Sequence, residues 1–355
     1  MSDGYSVAVV GATGLVGAEM LDILAAREFP VAELTVFASS RSAGKAIAWG
    51  RGFHNVRVLE DGCFDGVDIV FMEVESPIST EWAPRAVKSG AVVIDNSSAW
   101  RMDDDVPLVV AEVNPHALDG HEGIVANPNC TTMGLMPVVK PLDIAAGLER
   151  MVISTYQAVS GSGRAGIEAL DAELDARRGR IDGLRHAATA PDVDLKPSGD
   201  TYPRPIGFNV IPECGDFAKD DSDETKEERK LVNESRKILE RPDLRVAATC
   251  VRVPVVAGHA LSVNAEFADE MTAERAVEIL SKAPGVELHA LRKDFPTPIE
   301  VAGGDPTHVG RIRNDESQSN TIDFFVVSDN LRKGAALNCV QIGEALVERD
   351  LVLAK

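Results

Sequence analysis

The sequence describes an α/β protein in two parts, an N-terminal doubly wound parallel sheet followed by a mixed α+β part. Three observations lead there. Up to about residue 130, short apolar runs alternate with helical stretches, the pattern of parallel strands joined by crossover helices. A glycine-rich turn lies between the first run and the first helix. After about residue 150 the apolar runs lengthen and become richer in β-branched residues, which favour strands.

The run at 6–10 (SVAVV) leads into GATGLVG at 11–17, beyond which Leu15, Val16, Leu21 and Leu24 share one side of a helix. LTVFA (34–38) completes a strand–turn–helix–strand unit. Further runs at 67–72 (VDIVFM), 91–95 (AVVID) and 124–126 (IVA) alternate with helical stretches such as 80–89. In the second part, strand-like runs at 151–157, 244–256, 259–267 and 321–328 are separated by helical stretches at 165–178, 224–240 and 272–283, which predicts a mostly antiparallel sheet. The charged stretch 219–230 reads as a loop running into a helix. A last helix at about 331–349 is expected to pack back on the first part. The division is then 1–130, with 331–355 returning to it, and 131–330.

A chain of 355 residues, 45% of them hydrophobic, suits two domains with sizeable cores. It has no run of eighteen apolar residues and no basic-then-apolar N-terminal pattern, so the expectation is a soluble, cytoplasmic protein with neither membrane span nor signal peptide. The net charge of −20, from 36 basic and 56 acidic side chains, argues against nucleic acid or anionic membranes as partners. Adaptation to salt and a merely acidic surface are both consistent with it. Either way, a site for an anionic substrate has to be assembled from local Arg and Lys. Five scattered cysteines (63, 130, 214, 250 and 339), with no CxxC and no His/Cys metal spacing, imply a reduced compartment and no bound metal.

GATGLVG has the form of a Rossmann-like dinucleotide turn, in which glycines let the backbone approach a pyrophosphate at a helix N-terminus. Its place between strand and helix is the context such a motif requires. At the end of the next strand an acid would bind a free ribose 2′-hydroxyl. SSRSAGK (39–45) has none and carries Arg41 and Lys45, which suits a 2′-phosphate. ANPNCTTMGLMP (126–137) places Cys130 where a helix opens, and the helix dipole is expected to favour its thiolate near neutral pH. The other four cysteines sit inside or beside apolar runs and read as small core residues. His259 follows a glycine turn that would expose it at a sheet end, and Arg252 lies just upstream. Gln157 ends a strand before a Gly/Ser loop. Glu227 and Lys230, three apart on one helix face, would ordinarily form a salt bridge.

GATGLVG, SSRSAGK, IDNSSAWR (94–101), ANPNCTT, YQAVSGSG (156–163), CVRVPVVAGHA (250–260) and SDNLRKGAALN (328–338) together resemble the aspartate-β-semialdehyde dehydrogenases over essentially the whole chain. The resemblance implies that the second part is a catalytic and dimerisation domain, that Cys130 is an acyl-thioester nucleophile, that His259 is the acid/base and that Gln157 orients the thioester. It further implies that Arg252 grips a substrate α-carboxylate, that Glu227 faces the amino group, and that Arg101 and Lys230 bind phosphate. NADP would be held by the 11–17 turn (Gly11, Thr13, Gly14, Leu15, Val16, Gly17), by Ser39, Arg41 and Ser42, and by Ser160, Gly161 and Asn330. The implied reaction is reduction of L-aspartyl 4-phosphate by NADPH on the route to lysine, threonine and methionine, in at least a homodimer.

One segment departs from the pattern. Where such enzymes carry a small Gly-rich loop, this chain has Glu73-Val74-Glu75-Ser76-Pro77. Two carboxylates there would repel a diphosphate, unless both point to solvent. N-acetyl-γ-glutamyl-phosphate reductase runs the same chemistry on an acylated substrate, but it needs no grip on a free amino group. A non-catalytic relative would be signalled by loss of Cys130 or His259, and both are present.

Overall fold

The computed structural model describes residues 4–189, 196–220 and 222–352. The first sheet contains β1 (Tyr5–Val10), β2 (Val31–Phe37), β5 (Ile69–Met72), β6 (Val92–Asp95) and β7 (Ile124–Ala126). Their order is β2-β1-β5-β6-β7 and all pairings are parallel. β3 (Ala46–Trp49) and β4 (Gly52–Asn55) form a separate hairpin. β5 and β6 are buried along their whole length, as strands covered on both faces must be. α1 (Leu15–Ala26) covers one face and α2 (Ser76–Lys88) the other.

The chain winds outward from β1 to β2 on one side and from β5 to β7 on the other. This leaves a crevice at the carboxyl ends of β1 and β5, where doubly wound sheets bind ligands. Gly11, at φ +88°, turns the chain there. A Cβ on Gly11 would stand 2.0 Å from the Glu73 carbonyl oxygen, so no side chain fits.

The second part opens with α3 (Cys130–Ala146), capped by Asn129, and β8 (Leu148–Gln157). Then come α4 (Gly163–Ala176), α5 (Lys226–Leu239), β9 (Arg245–Arg252), β10 (His259–Phe267), α6 (Ala273–Leu280), β11 (Val286–His289), the short α7 (Pro298–Val301), β12 (Thr307–Asn314) and β13 (Thr321–Ser328). The start of α5 is set by a capping box in which Thr225 and Glu228 satisfy each other's backbone N–H. The strand order is β11-β12-β13-β10-β8-β9. Three pairings are antiparallel, but β8–β9 and β11–β12 are parallel. One face of this sheet packs on α3, α5 and α6 through Leu135, Leu231, Phe324 and Val326.

The returning C-terminal segment starts with a wide π-turn at Arg332–Ala336 and continues as α8 (Leu337–Glu348). Val340, Ile342 and Leu346 join the α1 face of the first sheet. The last three residues of the expected 331–355 return, and residue 221 within the 219–230 stretch, lie outside the described residues.

The hairpin, β11 and β12 are not foreseen by apolar patterning. The hairpin strands are largely exposed, β11 is a short edge strand, and β12 breaks its alternation at Gly310 and at Arg311, whose φ is +57°.

Candidate active site

β8 and β9 run parallel with Gln157 opposite Arg252, and antiparallel β10 begins with His259 at the same sheet edge. Facing that edge, β7 ends at Ala126 and the chain turns into α3. Asn129 caps the helix, its Oδ1 accepting the Thr131 N–H at 3.1 Å. Its backbone N–H donates to Glu234 Oε2 at 2.7 Å and its Nδ2 donates to Glu227 Oε1 at 3.0 Å. Cys130 is therefore the first helical residue. It is held close to Gly334, where an added Cβ would come within 2.8 Å of its own.

A cleft of about 390 Å³ opens over Cys130, lined by Gln157, Tyr202, Glu227, Lys230 and Arg252 among others. Gly161 borders it, and a side chain at 161 would strike Arg252 Nη1 at 2.8 Å and the His259 ring at 3.2 Å. Lys230 Nζ donates to Glu227 Oε2 at 3.0 Å, so the expected salt bridge exists and also lines the cleft. Arg252 Nη1 donates to the Ala158 carbonyl at 2.7 Å. Arg101 Nη1 reaches Glu234 at 3.1 Å and its Nη2 the Asn96 carbonyl at 2.8 Å. Arg101 Nε, Arg252 Nε and His259 Nε2 are buried without a hydrogen-bond partner. Buried polar atoms are nearly always paired, so three such nitrogens on residues grouped around one thiol mark a place prepared for an anionic ligand.

The titration of these groups follows from their burial. Burial works to raise the Glu227 carboxyl, but Lys230, the Asn129 hydrogen bond and Arg252 outweigh it and hold the group below its usual range. Burial, reinforced by the Arg252 charge, pushes His259 down to about 3, so the ring is neutral at ordinary pH. Its Nδ1 accepts the Ala158 N–H at 3.0 Å, which leaves the ring proton on Nε2. The expected exposure of His259 is wrong: it is fully buried, because the turn before it folds back over the sheet edge and Gly258 packs against Pro298.

The expected thiolate is also corrected. Burial, with Glu227 adding to it, raises Cys130 to about 12, and Lys230, Arg252 and Arg101 offset only part of that. The helix terminus is worth too little to overcome desolvation of a sulfur anion in this position.

A second cleft, of about 560 Å³, joins the first at Cys130 and Gly161. Gly11, Gly14, Leu15, Val16 and Gly17 line it, with Ser160 and Asn330 opposite. α1 starts at Gly14 with no side-chain cap, and a Cβ at Gly17 would meet the Gly11 carbonyl oxygen at 2.3 Å. An uncapped helix N-terminus beside backbone that admits no side chain fits a dinucleotide diphosphate. Asn330 is pinned by Ser160 and by the Gly258 N–H. Ser39 and Arg41 are exposed beyond β2, outside the lining of this cleft. They are tied to the glycine turn through Ser42, whose Oγ lies 3.4 Å from Thr13 Oγ1.

Neither reading of the Glu73–Pro77 loop holds for both glutamates. Glu75 is exposed, whereas Glu73 turns inward and accepts from Asn96 Nδ2 at 2.7 Å. Burial raises Glu73 to about 8, which removes most of its charge at neutral pH.

Sequence reasoning missed Glu234, Asn129 and the buried Lys333–Glu112 ion pair next to Gly334. A polar residue immediately before Cys130 was a legible cap signal. Glu234 and Lys333 had none, since both sit in ordinary charged helical stretches.

Two adjoining clefts that share a cysteine, one on a dinucleotide turn and one rimmed by arginine and lysine, have the layout of a nucleotide-binding dehydrogenase. Residues 6–121 match the family described as semialdehyde dehydrogenase, NAD binding domain, and residues 139–333 match semialdehyde dehydrogenase, dimerisation domain. The aspartate-semialdehyde dehydrogenase of Streptomyces akiyoshiensis is 52% identical over 97% of this chain and 99% of its own. That of Aquifex aeolicus is 44% identical over 98% and 100%. The crystal structure of aspartate semialdehyde dehydrogenase II from Vibrio cholerae superposes with a TM-score of 0.90 at 42% identity, covering 97% of this chain and 99% of that one. A structure of the same enzyme complexed with ASA matches equally well. The chain belongs to the aspartate-semialdehyde dehydrogenase family.

Because the thiol lies far below its pKa at neutral pH, alkylation of Cys130 in the free protein should rise close to tenfold per pH unit from pH 7 to 10. Mass-resolved iodoacetamide kinetics will measure this, and a plateau below pH 8 would contradict the assignment.

Proposed function

We propose that the protein reduces L-aspartyl 4-phosphate to L-aspartate 4-semialdehyde with NADPH, through a thioester on Cys130, as a step of aspartate-family amino-acid biosynthesis in the cytoplasm. The observation that carries this reading is the trio of unpartnered buried nitrogens, on Arg101, Arg252 and His259, grouped around Cys130. Arg252 would take the substrate α-carboxylate, ionised Glu227 the ammonium, and Arg101 with Lys230 the phosphate. A carboxylate kept charged in the substrate cleft favours a substrate with a free amino group over an N-acylated one.

In this mechanism sulfur attacks the acyl carbon. The C–S bond forms, the C–O bond to phosphate breaks, and the thiol proton leaves on the departing phosphate, so no free thiolate has to accumulate. Gln157 would hold the thioester. Bound NADPH supplies the hydride that a thioester, unlike a carboxylate, can accept. His259 gives its Nε2 proton to sulfur as the C–S bond breaks and regains one from solvent in the same step, so that no imidazolate is left. The glycine turn with Ser160, Gly161 and Asn330 would carry the diphosphate, and Ser39, Arg41, Thr13 and Ser42 the 2′-phosphate end.

The reaction run backwards tests the function. Phosphate-dependent NADP reduction from aspartate semialdehyde is expected, and its absence in folded protein would sink the proposal. Intact mass after exposure to acyl phosphate without reductant should show an adduct on wild type and on His259→Ala, with the latter slower in turnover by roughly 10²–10⁴. Cys130→Ala should carry none, and an adduct there would move the nucleophile to another cysteine.

Arg41→Ala removes a contact of about 1.5–3 kcal/mol, so the NADPH requirement should rise tenfold or more with little change for NADH. Equal loss with both cofactors would show that Arg41 does not read the 2′-phosphate.

The assembly is expected to be at least a homodimer joined through the 131–330 part. Sedimentation at micromolar concentration should find no stable monomer.

A further inference from the structure

Glu287 and His289 alternate on β11, so both project from one face of the sheet. His308 on β12 is paired with Glu287 in parallel register and projects from the same face. The residue opposite His289 is Gly310. A Cβ there would lie 3.1 Å from that of His289, so its absence gives the imidazole room to lean toward β12. His289 Nε2 then stands 3.0 Å from His308 Nδ1, and Glu287 Oε1 lies 3.9 Å from the same Nδ1. One ligand atom from each of the three residues falls within 4.8 Å of the others. Among the described residues this is the one such group of His, Cys, Asp and Glu side chains. It shares no residue with the two clefts around Cys130.

From this arrangement we infer that Glu287, His289 and His308 form a divalent transition-metal site, for which Zn²⁺ is the best match, that ties edge strand β11 to β12. Asp294 Oδ1 lies 2.9 Å from His289 Nδ1. The carboxylate accepts a hydrogen bond from Nδ1–H, which keeps the proton on Nδ1 and leaves Nε2 bare and aimed at His308. A carboxylate orienting a ligating histidine through its other nitrogen is the usual outer support of a metal site. Zn–N bonds of about 2.0–2.1 Å at a tetrahedral angle place two ligand nitrogens roughly 3.3 Å apart, close to the spacing found here.

A simple hydrogen bond between the two rings accounts for that spacing but not for Glu287, whose carboxylate converges on the same nitrogen. Two imidazoles and one carboxylate suit Zn²⁺ and its neighbours rather than Ca²⁺ or Mg²⁺, which take oxygen ligands. The charges of Glu287 and Asp294 balance a divalent cation. Glu287 is more than half exposed, so water can complete the shell. Among the described residues β11 has β12 as its only strand neighbour, and a bound ion would add a link that the backbone ladder lacks on its outer side.

The test uses tag-free, chelator-stripped full-length protein titrated with Zn²⁺ and, in parallel, with Co²⁺. One ion per chain at micromolar concentration is expected, with cobalt d–d absorption and no thiolate-to-metal charge-transfer band. The melting temperature should rise with metal. His308→Gln and His289→Gln should lose the site and the shift. Asp294→Asn should weaken binding about 10–100-fold while leaving stoichiometry unchanged. Glu287→Ala, an exposed substitution that leaves the packing intact, should weaken it at least tenfold, which keeps the test valid if a histidine variant misfolds. Binding only at millimolar metal, unchanged binding in the Glu287 and histidine variants, or a thiolate band would each overturn the assignment. The dehydrogenase assignment would be unaffected.

Discussion

The buried carboxylate of Glu234, on α5, holds both sides of the cleft around Cys130. It accepts from the Asn129 backbone N–H at the head of α3 and from the Arg101 guanidinium, which comes from the first part of the chain. Removing it would leave a desolvated cation and an unpaired amide directly beneath Cys130, a far larger cost than the loss of a surface ion pair. With it in place, Arg101 keeps Nε free while its Nη atoms are committed, and Asn129 keeps its side chain free to cap the helix and touch Glu227. Charge is assembled locally in this way within a protein whose net charge is −20.

The same economy extends into the cofactor cleft. Inward-turned Glu73 accepts from Asn96, Asn96 accepts from Asn127, and Asn127 accepts from Asn338 on α8. This file of amides runs from the glycine turn to the returning helix and links the cofactor cleft to the C-terminal segment. A neutral Glu73 ends the file without placing a full charge against a diphosphate, so an acidic loop can stand where relatives are expected to carry glycine.

Much of this was legible in the residues. β5 and β6 were readable because each is buried along its whole length and shows as an apolar run, β1, β2 and β7 were readable from the shorter apolar runs in their buried parts, and α1 was readable from its glycine-rich start. Cys130, Gln157 and His259 could be singled out by their setting at strand or helix ends or beside a turn, whereas Arg252 lay inside a strand-like run and took its role from the family resemblance. β11, β12 and the β3–β4 hairpin were not readable, because edge and half-exposed strands carry no sustained apolar period. Lys333 is 1% exposed against Glu112, a placement that depends on a partner some 220 residues distant.

By itself the sequence determined the chemical inventory: a glycine-rich turn between strand and helix, a cysteine where a helix opens, and an acid-free, arginine-bearing end to the second strand. Only the tertiary structure decided the state of that inventory. Local signals promised a thiolate at Cys130 and an exposed histidine at 259, and both expectations failed for one reason. Helix-end and turn effects act over a single turn of chain, whereas desolvation is set by every element packed around the group. Here α3, α5, β9 and β10 close around the thiol and the imidazole and leave both neutral.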